Sequence, residues 1–165
     1  MISNSDIGQL AAEVITAFRE KGWMIATAES CTGGLIAGAL TDVAGSSAAV
    51  DRGFVTYSNE AKMDLLGVTA ATLDAFGAVS KETALQMVKG ALWRSRAHCA
   101  VAVTGVAGPG GGSAEKPVGL VHIAAQSRDG QQIHRAMRYG DLGRDGIRAA
   151  TVKTALEFLL DLSQA

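Results

Sequence analysis

The sequence predicts a three-layer α/β/α domain over residues 1–165, with a mixed, mostly parallel sheet of about five strands that includes one hairpin. Three observations predict it. Short apolar runs at 23–28, 52–57 and 99–103 alternate with segments of helical periodicity, the pattern of strands buried between crossover helices. Two more strand-like runs, Val118–Ser127 and Gln132–Tyr139, flank Arg128-Asp129-Gly130-Gln131, whose Asp-Gly pair signals a hairpin turn. The 165 residues carry no linker or repeat, and they suffice to bury a core without disulfide or metal staples.

The elements follow in order. Ile7, Leu10, Ala11, Val14 and Phe18 recur at helical spacing, with Ser5 as the expected cap and Gly22 as the stop. Trp23–Ala28 reads as a buried strand that runs into Glu29-Ser30-Cys31-Thr32-Gly33-Gly34. From Thr32 or Gly33 to about Thr41 a second helix carries Leu35, Ile36, Ala39 and Leu40. Arg52–Tyr57 is β-branched and aromatic, a strand that delivers Tyr57 to its end. Ser58-Asn59 then cap a helix closed by Gly67, with Lys62 one turn inside it. Helices at about 69–76 and from Ser80 onward read as scaffold. The strand Cys99–Val103 ends in the small-residue run Thr104–Ser113, and a final helix from about Gly143 to Leu162 presents Ile147, Thr151, Thr154, Phe158 and Leu162 on one face.

Composition removes several function classes. With 15 Lys plus Arg against 16 Asp plus Glu, the net charge is -1, so no basic excess exists to hold a polyanion. Aromatic residues at 5% offer few platforms for stacked bases, and nucleic acid is not an expected partner. Two cysteines form no disulfide framework, and His98, His122 and His134 lack ligand spacing, so neither metal nor cofactor is expected. No leader pattern and no membrane-length apolar run is present, and the expectation is a soluble, cytoplasmic protein.

The candidate chemistry gathers at strand ends. Ser30 sits at a strand-to-helix turn, where a serine can attack, bind an anion or simply cap amides; Gly33 and Gly34 beside it suit an anion or oxyanion site. Cys31 competes as nucleophile but has no histidine nearby in sequence to act as its base. Lys62 is by default a solvated charge, yet a buried neutral lysine can serve as base to a serine, and Tyr57 can orient it. Gly105–Gly112 is neither a dinucleotide fingerprint nor a Walker A loop, because Pro109 interrupts it and no Gly-Lys-Ser/Thr is present. Arg144 and Arg148, one turn apart, suit a phosphate or carboxylate or else a solvated face. Glu29 has no role assignable from spacing.

Taken together, Ala28–Gly34, Gly53–Lys62 with its Tyr57-Ser58-Asn59-Glu60-Ala61-Lys62 core, Thr104–Pro109 and Lys116-Pro117-Val118-Gly119 resemble the C-terminal domain of the competence/damage-inducible CinA proteins. The resemblance covers nearly the whole chain, in order. It is closest to the stand-alone form, without the N-terminal domain of full-length CinA proteins, so functions of that domain are not carried over. It implies a serine amidohydrolase that converts nicotinamide mononucleotide to nicotinate mononucleotide and ammonia. Matched by motif, Ser30 would be the nucleophile, Lys62 its base and Tyr57 a support. Cys31, Thr32, Gly33, Gly34, Thr104, Gly105 and Gly108 would enclose the nucleotide, and Arg144 or Arg148 would suit its phosphate. A homodimer or higher homo-oligomer is the expected assembly. The alternative class is a non-catalytic nucleotide-binding or interaction module.

Overall fold

The computed structural model describes residues 2–165. Helix α1 (Asn4–Lys21) starts two residues earlier than its expected cap allows. Ser3, not Ser5, is the cap: its hydroxyl accepts from the Asp6 amide at 3.1 Å, and the Asp6 carboxylate accepts from the Ser3 amide at 3.0 Å. The physical reason is reciprocity, since three residues after Ser5 stands Gly8, which has no side chain to return the bond.

Strands β1 (Ile25–Glu29), β2 (Val50–Val55), β3 (Cys99–Gly105), β4 (Leu120–Ser127) and β5 (Gln132–Arg138) form one sheet in the order β2-β1-β3-β4-β5. The pairs β1–β2 and β1–β3 are parallel, β3–β4 and β4–β5 antiparallel, so only β4 runs against the rest. The sheet is thus mixed and mostly parallel, with the expected hairpin at its edge. Glu29 pairs with both Val55 and Val103, so the three parallel strands end at one level. The segments that leave these three ends must therefore meet in space.

The two faces of the sheet differ in side-chain size. Ala26, Ala28, Ala100, Ala102 and Ala124 line the face under α5 (Lys81–Trp93), which follows the short α4 (Ala70–Phe76) and whose Ala84, Met87, Val88 and Ala91 pack against them. Ile25, Val101, Val103, Val121 and Ile123 face α1, α2 (Leu35–Thr41) and α6 (Gly143–Gln164). Burial of these apolar side chains, each contributing about 1.5–3 kcal/mol for a large one, fixes the three layers. On the alanine side, α3 (Asn59–Leu66) backs onto α5 at Gly90, where a Cβ would come within 1.9 Å of the Leu66 carbonyl oxygen. Only glycine permits that approach, and it holds Lys62's helix in place.

Helix α2 begins at Leu35, later than its apolar periodicity predicts. Gly33 and Gly34 have φ of 59° and 106°, conformations that end a strand-to-helix turn and cannot continue an α-helix. Strands β1 and β2 are displaced by one or two residues from the apolar runs, because pairing register, not apolarity, sets their ends. Among the described residues no helix is long and apolar enough to cross a membrane.

Candidate active site

The residues after the three parallel strands converge as the register requires. The Ser30 amide donates to the Val103 carbonyl at 3.1 Å, and the Thr56 amide to the Glu29 carbonyl at 2.8 Å, extending the ladder past the sheet. Ser58 caps α3 by accepting from the Ala61 amide at 3.0 Å, which sets the first turn and aims Lys62 back toward β1. Lys62 Nζ lies 3.0 Å from Ser30 Oγ, 2.8 Å from the Thr56 carbonyl oxygen and 3.3 Å from that of Tyr57. Residues 32 positions apart are thereby brought into hydrogen-bond contact.

Lys62 is only 1% exposed, and no ion pair among the described residues includes it. Burial pulls its pKa below the ordinary 10.5. Donor counting then fixes what the amine can do. As an ammonium it donates to both carbonyls and to Ser30 Oγ. As a neutral amine it has two N–H groups, which the carbonyls take because they can only accept, and its lone pair is left facing Ser30. The direction of the serine bond reverses, with the hydroxyl donating to nitrogen. That is the arrangement of a general base beside a nucleophile.

Cys31, adjacent to Ser30, is 6% exposed, and burial, reinforced by the Glu29 charge, pushes its thiol up to about 11. A thiol held that high is protonated at neutral pH and a poor nucleophile. Glu29 is fully buried, and its carboxylate accepts from the Thr32 hydroxyl at 2.6 Å and the Ile36 and Ala37 amides at 2.8 and 3.0 Å. The first amides of α2, which the sequence leaves open for an anion, are therefore occupied from within the chain.

Ser30, Lys62, Tyr57, Thr104, Gly105 and Arg144 share one cavity of about 190 Å³ at the carboxyl ends of the strands. Thr104 is buried and donates to the Ala78 carbonyl at 2.8 Å, tying β3 to the loop before α5. Gly105 is glycine for packing: a Cβ there would sit 2.6 Å from Val121 Cγ2. The Gly108 carbonyl accepts from Arg144 at 2.7 Å, and the second Arg144 nitrogen donates to the Tyr57 hydroxyl at 3.2 Å. Tyr57 thus supports the amine through its backbone carbonyl, while its ring, 63% exposed, stands at the cavity mouth. Arg148 instead donates to the Cys31 and Thr32 carbonyls at 3.1 and 3.2 Å.

The cavity also takes Asn59, Ala78, Val79 and Ala107, to which the sequence alone assigns no part in the site. Residues 78 and 79 lie between two helices read as scaffold, and no spacing in the sequence marks them. A larger hollow of about 510 Å³ between α1, α2 and α6 is lined by apolar residues such as Ile7, Leu35 and Val152 together with Asp42, Asp145 and Arg148, and contains no serine, cysteine or lysine. His122 and His134 sit 3.0 Å apart on the hairpin and do not line the Ser30 cavity, and burial pulls His122 down to about 4. No group of three or more His, Cys, Asp or Glu converges among the described residues.

The chain is similar to known proteins over nearly its whole length. A family model described as the CinA C-terminal domain matches residues 7–163. A protein of Enterobacter agglomerans named nicotinamide-nucleotide amidohydrolase PncC is 48% identical, over 96% of this chain and 99% of its own. The protein of the same name from Escherichia coli K12 is 46% identical over 96% of this chain and 95% of its own. The crystal structure of the competence/damage inducible protein CihA from Agrobacterium tumefaciens superposes with a TM-score of 0.96 at 65% identity, covering 99% of this chain and 98% of that one.

Proposed function

The chain belongs to the CinA C-terminal domain family, and from that premise we propose that it is a serine amidohydrolase that deamidates nicotinamide mononucleotide. The observation that carries the proposal is the 3.0 Å contact between Ser30 Oγ and a buried Lys62 amine with no acidic partner. The amidohydrolase names of relatives 46–48% identical over nearly the full chain supply the substrate.

In this reading Ser30 Oγ attacks the carboxamide carbon as Lys62 takes its proton. The tetrahedral intermediate collapses as the Lys62 ammonium returns that proton to the departing nitrogen, releasing ammonia and leaving an acyl ester on Ser30. Water, deprotonated by the again-neutral Lys62, adds to the ester. Collapse then expels Ser30, reprotonated by Lys62, and frees nicotinate mononucleotide.

The cavity, at about 190 Å³, is below the roughly 300 Å³ at which sites for whole drug-sized ligands begin. It suits the carboxamide-bearing ring, with ribose and phosphate at the rim. There Arg144 uses two of its five N–H donors on Gly108 and Tyr57, leaving three to meet a phosphate. The proposal extends to one amidohydrolase domain over residues 1–165, acting in the cytoplasm as a homodimer or higher homo-oligomer.

The test is ammonia release by the purified protein from a panel of amides that includes nicotinamide mononucleotide, nicotinamide riboside, nicotinamide and glutamine. Turnover greatest with the mononucleotide is expected. Binding of the mononucleotide without ammonia release would overturn the enzymatic reading in favour of a binding module.

A further inference from the structure

We propose that Arg148 is a positioning residue that shapes the Ser30 turn into an oxyanion site, and not a ligand of the substrate phosphate. The proposal rests on the amidase reading above. Arg148 stands in the second turn of α6, and its Nε and Nη2 donate to two consecutive carbonyls, Cys31 at 3.1 Å and Thr32 at 3.2 Å. A planar trans peptide carries its N–H opposite its C=O. Drawing the Cys31 carbonyl toward α6 therefore turns the Thr32 N–H away from α6.

Most of the other amides nearby are already committed, that of Gly34 excepted. The Ser30 N–H goes to Val103, the Gly33 N–H to Ser30, and those of Ile36 and Ala37 to Glu29. Among the described residues, the Cys31 and Thr32 N–H groups make no hydrogen bond to another residue, and they directly follow the nucleophile. The amide after the nucleophile is a position where acyl-transfer enzymes place an oxyanion donor. Gly33 fits the same arrangement: its φ is 59°, and a Cβ there would lie 3.4 Å from Arg148 Nη2.

Location separates Arg148 from its neighbour. Arg144 lines the cavity that holds Ser30 and Lys62, whereas Arg148 lines the hollow behind the turn, between α1, α2 and α6. A phosphate reached from the catalytic cavity meets Arg144.

The experiment compares Arg148→Met, Arg148→Lys and Arg144→Met for ammonia release from nicotinamide mononucleotide. In parallel, the rate at which a fluorophosphonate probe labels Ser30 is followed by intact mass. For Arg148→Met, kcat should fall about 100-fold with KM within about threefold, since misplacing the reacting geometry costs on that order. Labelling should slow in step, and Arg148→Lys, able to hold one carbonyl, should recover part of both. Arg144→Met should raise KM instead. A tenfold or greater rise in KM with kcat retained in Arg148→Met would overturn the proposal, as would labelling at the wild-type rate. If wild type labels but releases no ammonia, the substrate reading fails while the labelling comparison still decides the role of Arg148; if it does neither, both fall. If Arg148→Met does not fold, Arg148→Lys carries the test, with wild-type kcat and labelling overturning the proposal.

Discussion

Replacing Lys62 by methionine separates the amine's chemistry from its packing, because the two side chains are both unbranched and of similar length. Two effects on stability oppose each other. The Thr56 and Tyr57 carbonyls lose a donor, and each unsatisfied group costs about 1–3 kcal/mol, while a buried amine no longer has to be stripped of water. Net stability should therefore stay within about 2 kcal/mol of wild type. The rate has no such compensation. Loss of a general base costs about 10²- to 10⁴-fold, or about 2.7–5.4 kcal/mol of transition-state stabilisation. Coupled detection of ammonia released from nicotinamide mononucleotide measures that loss, with thermal unfolding as the folding control. In wild type, kcat/KM should rise with pH through the depressed Lys62 pKa and then level, because only the neutral amine accepts the Ser30 proton. Stability carries the matching sign. Between the folded-state pKa and 10.5 the unfolded chain holds more protons, so wild type gains stability relative to Lys62→Met as pH rises across that window and gains nothing below it. A folded Lys62→Met variant within tenfold of wild-type rate would refute the reasoning, as would wild-type activity that falls from pH 7 to 9.

Other changes probe the surroundings of the pair. Glu29→Ala leaves the Thr32 hydroxyl and the Ile36 and Ala37 amides without their acceptor, so urea unfolding should show a loss of about 3 kcal/mol or more; a loss under about 1 would deny the carboxylate its capping role. Cys31→Ala should keep kcat/KM within about tenfold, because a thiol with its pKa at about 11 stays protonated near neutrality; a loss beyond 100-fold would bring the thiol into the chemistry. Gly105→Ala places a methyl 2.6 Å from Val121 Cγ2 and 2.8 Å from the Leu120 carbonyl oxygen, and should cost about 1–3 kcal/mol in thermal unfolding, whereas an unchanged midpoint would show that β3 and β4 can separate freely there.

Much of the architecture is legible locally. Ser58, Thr69 and Ser80 mark three helix starts, Gly22 and Gly67 two stops, and each acts through its nearest neighbours. The ends of strands are less legible because partner strands decide them, as with Glu29, which extends β1 past its apolar run to pair with Val55 and Val103. Ser30 and Lys62 are recognisable as candidates, but their contact depends on β1 and β2 ending at one level and on α3 lying against Gly90. Glu29 is opaque for a related reason: its carboxylate reaches amides seven and eight residues ahead only because Gly33 and Gly34 reverse the chain at positive φ. Arg148 lies 116 and 117 positions from the carbonyls it holds, a pairing with no local trace. The loop at residues 77–80 joins the cavity through a single bond from Thr104, and its small residues carry no signature of that role.

The most direct measurement is the rate of ammonia release from nicotinamide mononucleotide by Ser30→Ala relative to wild type, at one pH and with both proteins shown to be folded. Removing the hydroxyl leaves Lys62 and the cavity in place but no oxygen to acylate, and a fall of at least about 1,000-fold is expected. Activity within tenfold of wild type would contradict the Ser30–Lys62 mechanism, because the substrate would then be hydrolysed without the nucleophile on which the whole site is built.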